Sequence, residues 1–336
     1  MHGRRGALVR FLTRRLLSAV MVVFVAASAT LVLSAAADGD YFSIAFGFGR
    51  SPRTVASARA ALGFDRPVSA IYLAWLTRAA RLDFGTSLTH QRPVGPLVAE
   101  RAARTALLAV AALAIVTLLG VPFGLLTGSR PGPAAAVVRA ASSVCLSIPP
   151  LIAAMLLVAV AAFTGILPTG GMTTLSLDET GWLEWARDVA WHVPLPALAL
   201  ALPFAAMLER VQSQAIAQAL AEPSMTAALA RGLSYRQMLW RHAWRLGAKP
   251  VAALAGIIAG TLLSGSYAVE LVTAWPGLGR LTYDALVNRD IYLAAGCAAA
   301  AAVCFECGIV ASDLLLAAVD PRIAVAETAA FDEVRT

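Results

Sequence analysis

Six long apolar runs, at 16–37, 105–126, 140–166, 191–208, 251–272 and 291–319, alternate with polar, arginine-bearing segments along the chain. A helix of about 20 apolar residues crosses a hydrocarbon core, and each run is close to that length or longer. None of them alternates apolar and polar positions, so a closed barrel is ruled out and helices are predicted. The expected fold is an all-α polytopic membrane protein with about six transmembrane helices.

The polar segments orient these helices. Arg4, Arg5, Arg10, Arg14 and Arg15 precede the first run, Arg130 and Arg139 flank the loop after the second, and a basic segment follows the fourth. Short basic loops stay in the cytoplasm, which places both termini inside. The expected organisation is a basic cytoplasmic N-terminus (1–15), a first span (16–37), a long external region (38–104) and spans two to four (105–209). A cytoplasmic loop (210–250), spans five and six with an external loop between them (251–319) and a cytoplasmic tail (320–336) complete it. The external region carries many arginines against this rule, and its length is near the point where loops cross regardless of charge. The basic start and apolar run also suggest a secretory leader, but the run exceeds a leader's apolar core and "AAADGDYF" is a weak cleavage site. The run is read as a retained span.

Composition agrees with a bilayer protein. With 59% hydrophobic and only 14% charged residues and a mean hydropathy of +0.73, an ordinary soluble domain is excluded. The net charge of +7 does not indicate nucleic acid, because the arginines are spread over loops on both sides with no basic stripe beside stacking aromatics. Contact with anionic lipid and with partner proteins accounts for them better.

Residues for covalent chemistry are missing from the pattern. Lys249 is the only lysine and follows Ala248, so no phosphate-binding loop of the G-x-x-x-x-G-K-[ST] type exists. His2, His90, His192 and His242 are scattered, none in a metal-binding pattern. Cys304 and Cys307 spell C-x-x-C inside the sixth run, where small buried thiols are the simpler account; Cys145 and Cys297 also lie in runs. No enzyme activity, resident cofactor or metal is expected. Glu270, Glu306 and Asp313 fall within or at the ends of spans, where an acid at the bilayer centre costs about 2.5–3.5 kcal/mol. A proton relay and a helix-packing or gate contact are the two readings, and the position of Glu270 and Asp313 near span ends favours the second. Pro122, Pro149, Pro150, Pro194, Pro196 and Pro203 remove backbone donors within or beside spans, which suits broken or mobile helices and static kinks equally.

The stretch "TAALARGLSYRQMLWRHAWRLGAKP" (226–250) interrupts the apolar pattern. It predicts a short helix ending at Arg231, a turn at Gly232 and a second helix over 235–246. Tyr235, Met238, Leu239, His242 and Leu246 form one face of that second helix, while Arg236, Arg241 and Arg245 lie off it. Small Ala227, Ala228 and Gly232 let another surface approach closely. Periodicity alone leaves docking to a partner and lying on lipid equally open.

The wording of this stretch resembles the EAA coupling loop of ATP-binding-cassette importer permeases, with Thr226, Ala227 and Ala228 as the small-residue run, Gly232 as its glycine and Pro250 as its distal proline. Thr226 stands where the signature has a glutamate. "LGFDRPVSAIYLAWL" (62–76), "LDFGTSL" (82–88), "ILPTGG" (166–171), "AWPGLGRLTYDALVNRD" (274–290) and "VDPRI" (319–323) are similar to blocks of the dipeptide, oligopeptide and nickel permease subfamily, in order, over roughly 8–323. The long first external region points to its first, B-type subunit.

The resemblance implies a type I ABC importer-like permease fold, alternating access and no catalysis by this chain. ATP and Mg would be bound by two ABC ATPase subunits, or one fused ATPase, against Thr226, Ala227, Ala228, Arg231, Gly232, Leu233 and Ser234. A homologous second permease (C-type) would complete the path. An extracytoplasmic substrate-binding protein would meet Asp83, Gly85, Trp275, Pro276, Gly277 and Gly279. Short peptides are the implied cargo, with nickel chelates, haem or a siderophore as alternatives. A proton-coupled secondary transporter and a non-transporting scaffold are the remaining classes.

Overall fold

A computed structural model describes residues 2–46, 52–174 and 181–319, with side chains over 13–45, 53–174 and 181–314. In chain order the helices are α1 (His2–Ala36), α2 (Tyr41–Phe46), α3 (Pro52–Ala61), α4 (Val68–Ala79), α5 (Val94–Ser129), α6 (Pro133–Ser147), α7 (Pro150–Thr164) and α8 (Trp182–His192). They continue as α9 (Pro194–Ala221), α10 (Pro223–Ala230), α11 (Tyr235–Met238), α12 (Trp244–Gly265), α13 (Tyr267–Val272), α14 (Leu278–Val287) and α15 (Ile291–Val319). A π-helical turn, Leu239–Ala243, joins α11 to α12. An isolated Thr86–Pro93 bridge is the strand-like pairing among the described residues. The protein is all-α, and the predicted tail from 320 onward lies outside the described residues.

Five stretches are long and apolar enough to cross a bilayer: Thr13–Ala36, Val94–Ser129, Pro194–Ala221, Tyr235–Gly265 and Ile291–Leu314. The pair α6 and α7 passes the same test only together and is bent by 106°. The run read as one helix over 140–166 is therefore broken in its first half. Ile148 is extended at φ −97°, ψ 114°, because the ring of Pro149 disfavours the helical region for the residue before it. Pro150 then restarts the helix at its first position, where a missing N–H costs nothing. Pro122 and Pro203, by contrast, sit inside continuous α5 and α9.

The described residues fall into two compact units. The first is built on Leu107–Trp275 with the end of α15 from Phe305. Its centre is α9, whose alanines Ala197, Ala199, Ala201 and Ala205 are buried together with Leu200 and Leu208, and which packs against α6, α7 and α12. Gly120, Gly124 and Gly128 recur every fourth residue on the face of α5 that meets α9. A Cβ on Gly124 would lie 2.5 Å from Cβ of Gln212, and one on Gly128 would lie 2.4 Å from the Ser213 carbonyl oxygen. Real side chains never approach so closely, so the two helices meet backbone to backbone. In lipid, where burying apolar surface gains little, such close van der Waals contact is what drives helices together. The same device recurs where α12 crosses α15, with Gly260 against Gly308.

The second unit holds Arg14–Ala106 and Pro276–Cys304. Phe42, Trp75, Leu97, Leu278 and Leu293 are among its buried side chains. Its polar keystone is Asp290, fully buried just before α15. Oδ2 accepts hydrogen bonds from Ser87 Oγ at 2.7 Å and from the Thr89 N–H at 3.0 Å. Oδ1 accepts from the Leu293 N–H at 3.2 Å and so caps the helix. Replacing Asp290 by Asn puts an NH2 against N–H and O–H donors. We expect a loss of about 1.5–3 kcal/mol, read as a lower melting temperature of the purified chain in detergent; an unchanged melting temperature would show that the clip carries no stability.

Candidate functional site

The segment after α9 folds into a small knob with its own core. Glu222 is extended at φ −64°, ψ 139°, and Pro223 opens α10 at its first position. Met225 and Ala228 face inward and are buried with Ala219, Met238 and Ala243, while Leu233, Tyr235 and Leu239 cover them. The chain reverses at Gly232, which adopts φ +85°, a left-handed conformation that costs a side-chain-bearing residue about 1 kcal/mol or more. Ser234 then caps α11 reciprocally. Its Oγ accepts from the Gln237 N–H at 3.3 Å, and Gln237 Oε1 accepts from the Ser234 N–H at 3.0 Å.

This geometry sorts the residues singled out in the sequence. Thr226, Ala227, Arg231, Gly232 and Ser234 are exposed, Leu233 is half-buried and Ala228 is fully buried. Ala228 therefore packs the knob from within, while its neighbours form the outward face. The expected face of the second helix is followed as far as Leu239 and then departs from expectation. Leu246 is exposed, and Ala243 and Gly247 are buried instead. The cause is the π turn at Leu239–Ala243: one extra residue per turn advances the inward face by one position. The helix also runs on through Lys249 and Pro250 into the apolar stretch instead of stopping at 246.

Beside the knob, an open groove of about 680 Å³ runs between α10 and the start of α12. Ser224, Met225 and Leu233 form one wall, and Trp240, Arg241, His242, Arg245 and Leu246 the other. Trp240 and Leu246 are exposed apolar side chains between exposed arginines. Aromatic and arginine side chains of this kind anchor protein interfaces. The knob is tied to the end of α5 through Tyr235, whose hydroxyl donates to the Ser129 carbonyl oxygen and whose ring lies 4.6 Å beneath the Arg130 guanidinium.

The residues assigned to an outer gate separate into two kinds. In the first unit, Trp275 is fully buried in the α9-centred core, and its N–H donates to the Glu270 carbonyl oxygen at 2.9 Å. It anchors the chain from inside and presents no surface to a receptor. Glu270 is also buried, its Oε1 accepting from Ser266 Oγ at 2.6 Å. The turn of "ILPTGG" closes nearby: the Gly171 N–H donates to the Thr273 carbonyl oxygen at 2.8 Å, and a Cβ on Gly170 would sit 2.7 Å from that oxygen.

In the second unit, Asp83 is exposed and holds two partners, Arg78 Nε at 2.9 Å and the Gly85 N–H at 2.9 Å. The hydrogen bond from Arg78, followed by that from Gly85, holds its carboxyl below the ordinary aspartate range. Gly85 takes φ +94° against the Tyr292 ring. The Pro276 carbonyl oxygen accepts from Arg101 Nη1 at 3.1 Å, and the Leu278 N–H donates to Thr105 Oγ1 at 2.8 Å. Pro276 and Gly279 are half-buried and Gly277 is buried. In the first unit, Glu306 is buried at 7% exposure two residues before Gly308, and Asp313 is half-buried two turns beyond Glu306.

Against this architecture, residues 120–325 match the family model described as binding-protein-dependent transport system inner membrane component, and residues 8–109 match the N-terminal model of the same system. The chain belongs to the binding-protein-dependent transport system inner membrane component family. The oligopeptide transport system permease protein AppB of Bacillus subtilis is 28% identical over 93% of this inner membrane component and 98% of its own length. The oligopeptide transport system permease protein OppB of Mycobacterium tuberculosis is 31% identical over 95% and 100%. Among solved structures, the inward-facing MetNI methionine ABC transporter shares 19% identity at a TM-score of 0.46, covering 68% of this chain and 95% of that one.

A polar node in this inner membrane component escaped the sequence reading. Glu209 and Gln212, one turn apart on α9, are 2% and 0% exposed. Glu209 Oε1 accepts from Thr127 Oγ1 of α5 at 2.5 Å. Its Oε2 and both amide atoms of Gln212 have no hydrogen-bond partner among the described residues. The signal available was an acid and an amide at i, i+3 just beyond the fourth apolar run, but a run's end looks like solvent until the helix is seen to continue inside the packed unit.

Proposed function

We propose that this inner membrane component is the first, B-type permease of an ATP-driven importer of short peptides. It forms the translocation path with a homologous C-type permease and is driven by two ABC ATPase subunits, or one fused ATPase, which bind the ATP and Mg. The observation that carries this reading is the knob: α10 and α11 turn an exposed face of Thr226, Ala227, Arg231 and Gly232 away from a core of their own. A lipid-lying helix would instead present its apolar side outward. The adjoining groove, with Trp240 between Arg241 and Arg245, suits a complementary acidic and apolar surface on an ATPase.

Peptide cargo is supported by the relatives, whose names describe peptide and oligopeptide permeases; nickel chelates, haem and siderophores are the cargoes to test beside it. The basic N-terminal segment and the knob lie in the cytoplasm in this reading, and an extracytoplasmic binding protein delivers substrate to the opposite side through the Asp83 and Pro276–Gly279 segments. The chain performs no catalysis itself. Buried Glu306 is the residue on which a proton-coupled alternative would turn.

The test is a benzophenone photocrosslinking residue at position 227 in the tagged chain, irradiated in its native membrane and purified, with mass spectrometry of what is retained. A crosslinked P-loop ATPase together with a second permease is expected. Recovery of the chain alone, with uptake abolished by a protonophore and indifferent to ATP depletion, would overturn the reading.

A further inference from the structure

A second cavity, of about 160 Å³, lies wholly within the second unit, between the end of α1, the α2–α4 region and the start of α15. Ligand sites for drug-sized molecules take about 300–1,000 Å³, so this one suits a small group and not a peptide. Its charge is unbalanced. Arg59 Nη2 lies 2.6 Å from Asp40 Oδ2, and Asp40 Oδ1 accepts from the Ser43 N–H at 3.0 Å, so both oxygens of that carboxylate are engaged. Arg66 and Arg289 line the same cavity, and neither forms an ion pair among the described residues. Asp290, the neighbour of Arg289, is fully buried and turned inward to Ser87, Thr89 and Leu293. Asp65, beside Arg66 in sequence, does not line the cavity. Arg66 and Arg289 thus line a pocket whose remaining wall includes Phe42, Phe64, Ile71 and Ile291.

The location selects the anion. Ser34 and Ala35, which line the cavity, end the span Thr13–Ala36, and Ile291 begins the span Ile291–Leu314, so the cavity opens where two apolar helices leave the bilayer on one side. Paired arginines recognise phosphate oxygens through their planar fork of donors. We propose that this cavity binds the phosphodiester headgroup of an anionic phospholipid. The site pins the α2–α4 region to the membrane surface through the lipid. It depends on neither the peptide cargo nor the knob, so it stands or falls separately from the proposed function.

The test is native mass spectrometry of the full-length chain released from mixed micelles containing equal phosphatidylglycerol and phosphatidylcholine. Preferential retention of phosphatidylglycerol is expected, falling about ten- to thirtyfold in the double variant Arg66→Gln/Arg289→Gln. Retention is expected to fall only part of the way in Arg66→Lys/Arg289→Lys, which keeps the charge and loses the planar fork, and to survive in Arg53→Gln, an exposed arginine of α3 outside the cavity. Circular dichroism and melting temperature confirm that each variant folds. Equal retention of the two lipids, or a double glutamine variant that behaves as wild type, would overturn the proposal. Displacement of phosphatidylglycerol by millimolar inorganic phosphate would assign the cavity to a soluble anion instead. Retention of an acidic binding protein that depends on these two arginines, with no lipid preference, would assign it to a protein face.

Discussion

Gly124→Leu is expected to abolish accumulation of the folded chain in the membrane, or to lower its melting temperature in detergent by many degrees. A Cβ at this position would meet Gln212 Cβ at 2.5 Å and the Glu209 carbonyl oxygen at 2.8 Å, so neither neighbour is the free end of a flexible side chain that could swing aside. Overpacking a tight interface costs about 1–3 kcal/mol and sometimes more; here α5 and α9 must separate along the whole stripe that Gly120 and Gly128 continue. Separation also displaces Thr127, the hydrogen-bond partner of buried Glu209, leaving a carboxyl oxygen without a donor at a further cost of about 1–3 kcal/mol. The control is Gly95→Leu on the same helix, where a Cβ would meet nothing within 4 Å; it is expected to accumulate normally. Equal behaviour of the two variants would show that close approach at Gly124 contributes nothing to assembly.

Gly232→Leu and Ala227→Trp are expected to insert normally yet lose uptake while any ATPase partner hydrolyses ATP without moving substrate. The two variants separate strain from contact. At Gly232 nothing lies within 4 Å of an added Cβ, but φ is +85°, so leucine strains the turn by about 1–2 kcal/mol and tilts the exposed face. At Ala227 the backbone is helical and the side chain exposed, so tryptophan leaves the fold unstrained and only obstructs a partner. Disrupting the centre of a protein interface typically costs about 2–4 kcal/mol, which corresponds to roughly 30- to 1,000-fold in affinity. Purified complexes assayed for ATPase recruitment and for vesicle uptake check both. If Ala227→Trp transports at the wild-type rate with its ATPases bound, the exposed face of α10 is not the docking surface.

Much of this was legible in the sequence because it is set locally. A bilayer imposes length and apolarity on each span, so the hydropathy pattern marked the membrane segments before any contact was known. Prolines at 149 and 150 left a break and a static kink equally open in the third run, and the structure shows a break bent by 106°. Gly232 marks the turn of the knob in the sequence, because a left-handed residue is a local property, while the reciprocal cap of Ser234 and Gln237 is seen in the structure.

Tertiary structure decided the features that depend on which faces meet. Glycines at 120, 124 and 128 read as ordinary small residues until α9 is laid against them. Trp275, a reasonable receptor contact by its place in a loop motif, is the largest fully buried side chain among the described residues because the core closes around it. The π turn at Leu239–Ala243 moved the inward face from 246 to 247, a phase shift that a repeat of three and four residues cannot show. Asp290 caps its own helix, which its sequence position allows, but its bonds to Ser87 and Thr89 join residues about two hundred positions apart. The sequence determined where the chain enters the bilayer and where it turns, because those depend on solvent and on neighbouring residues. Which atoms lie in contact depends on segments that only folding brings together.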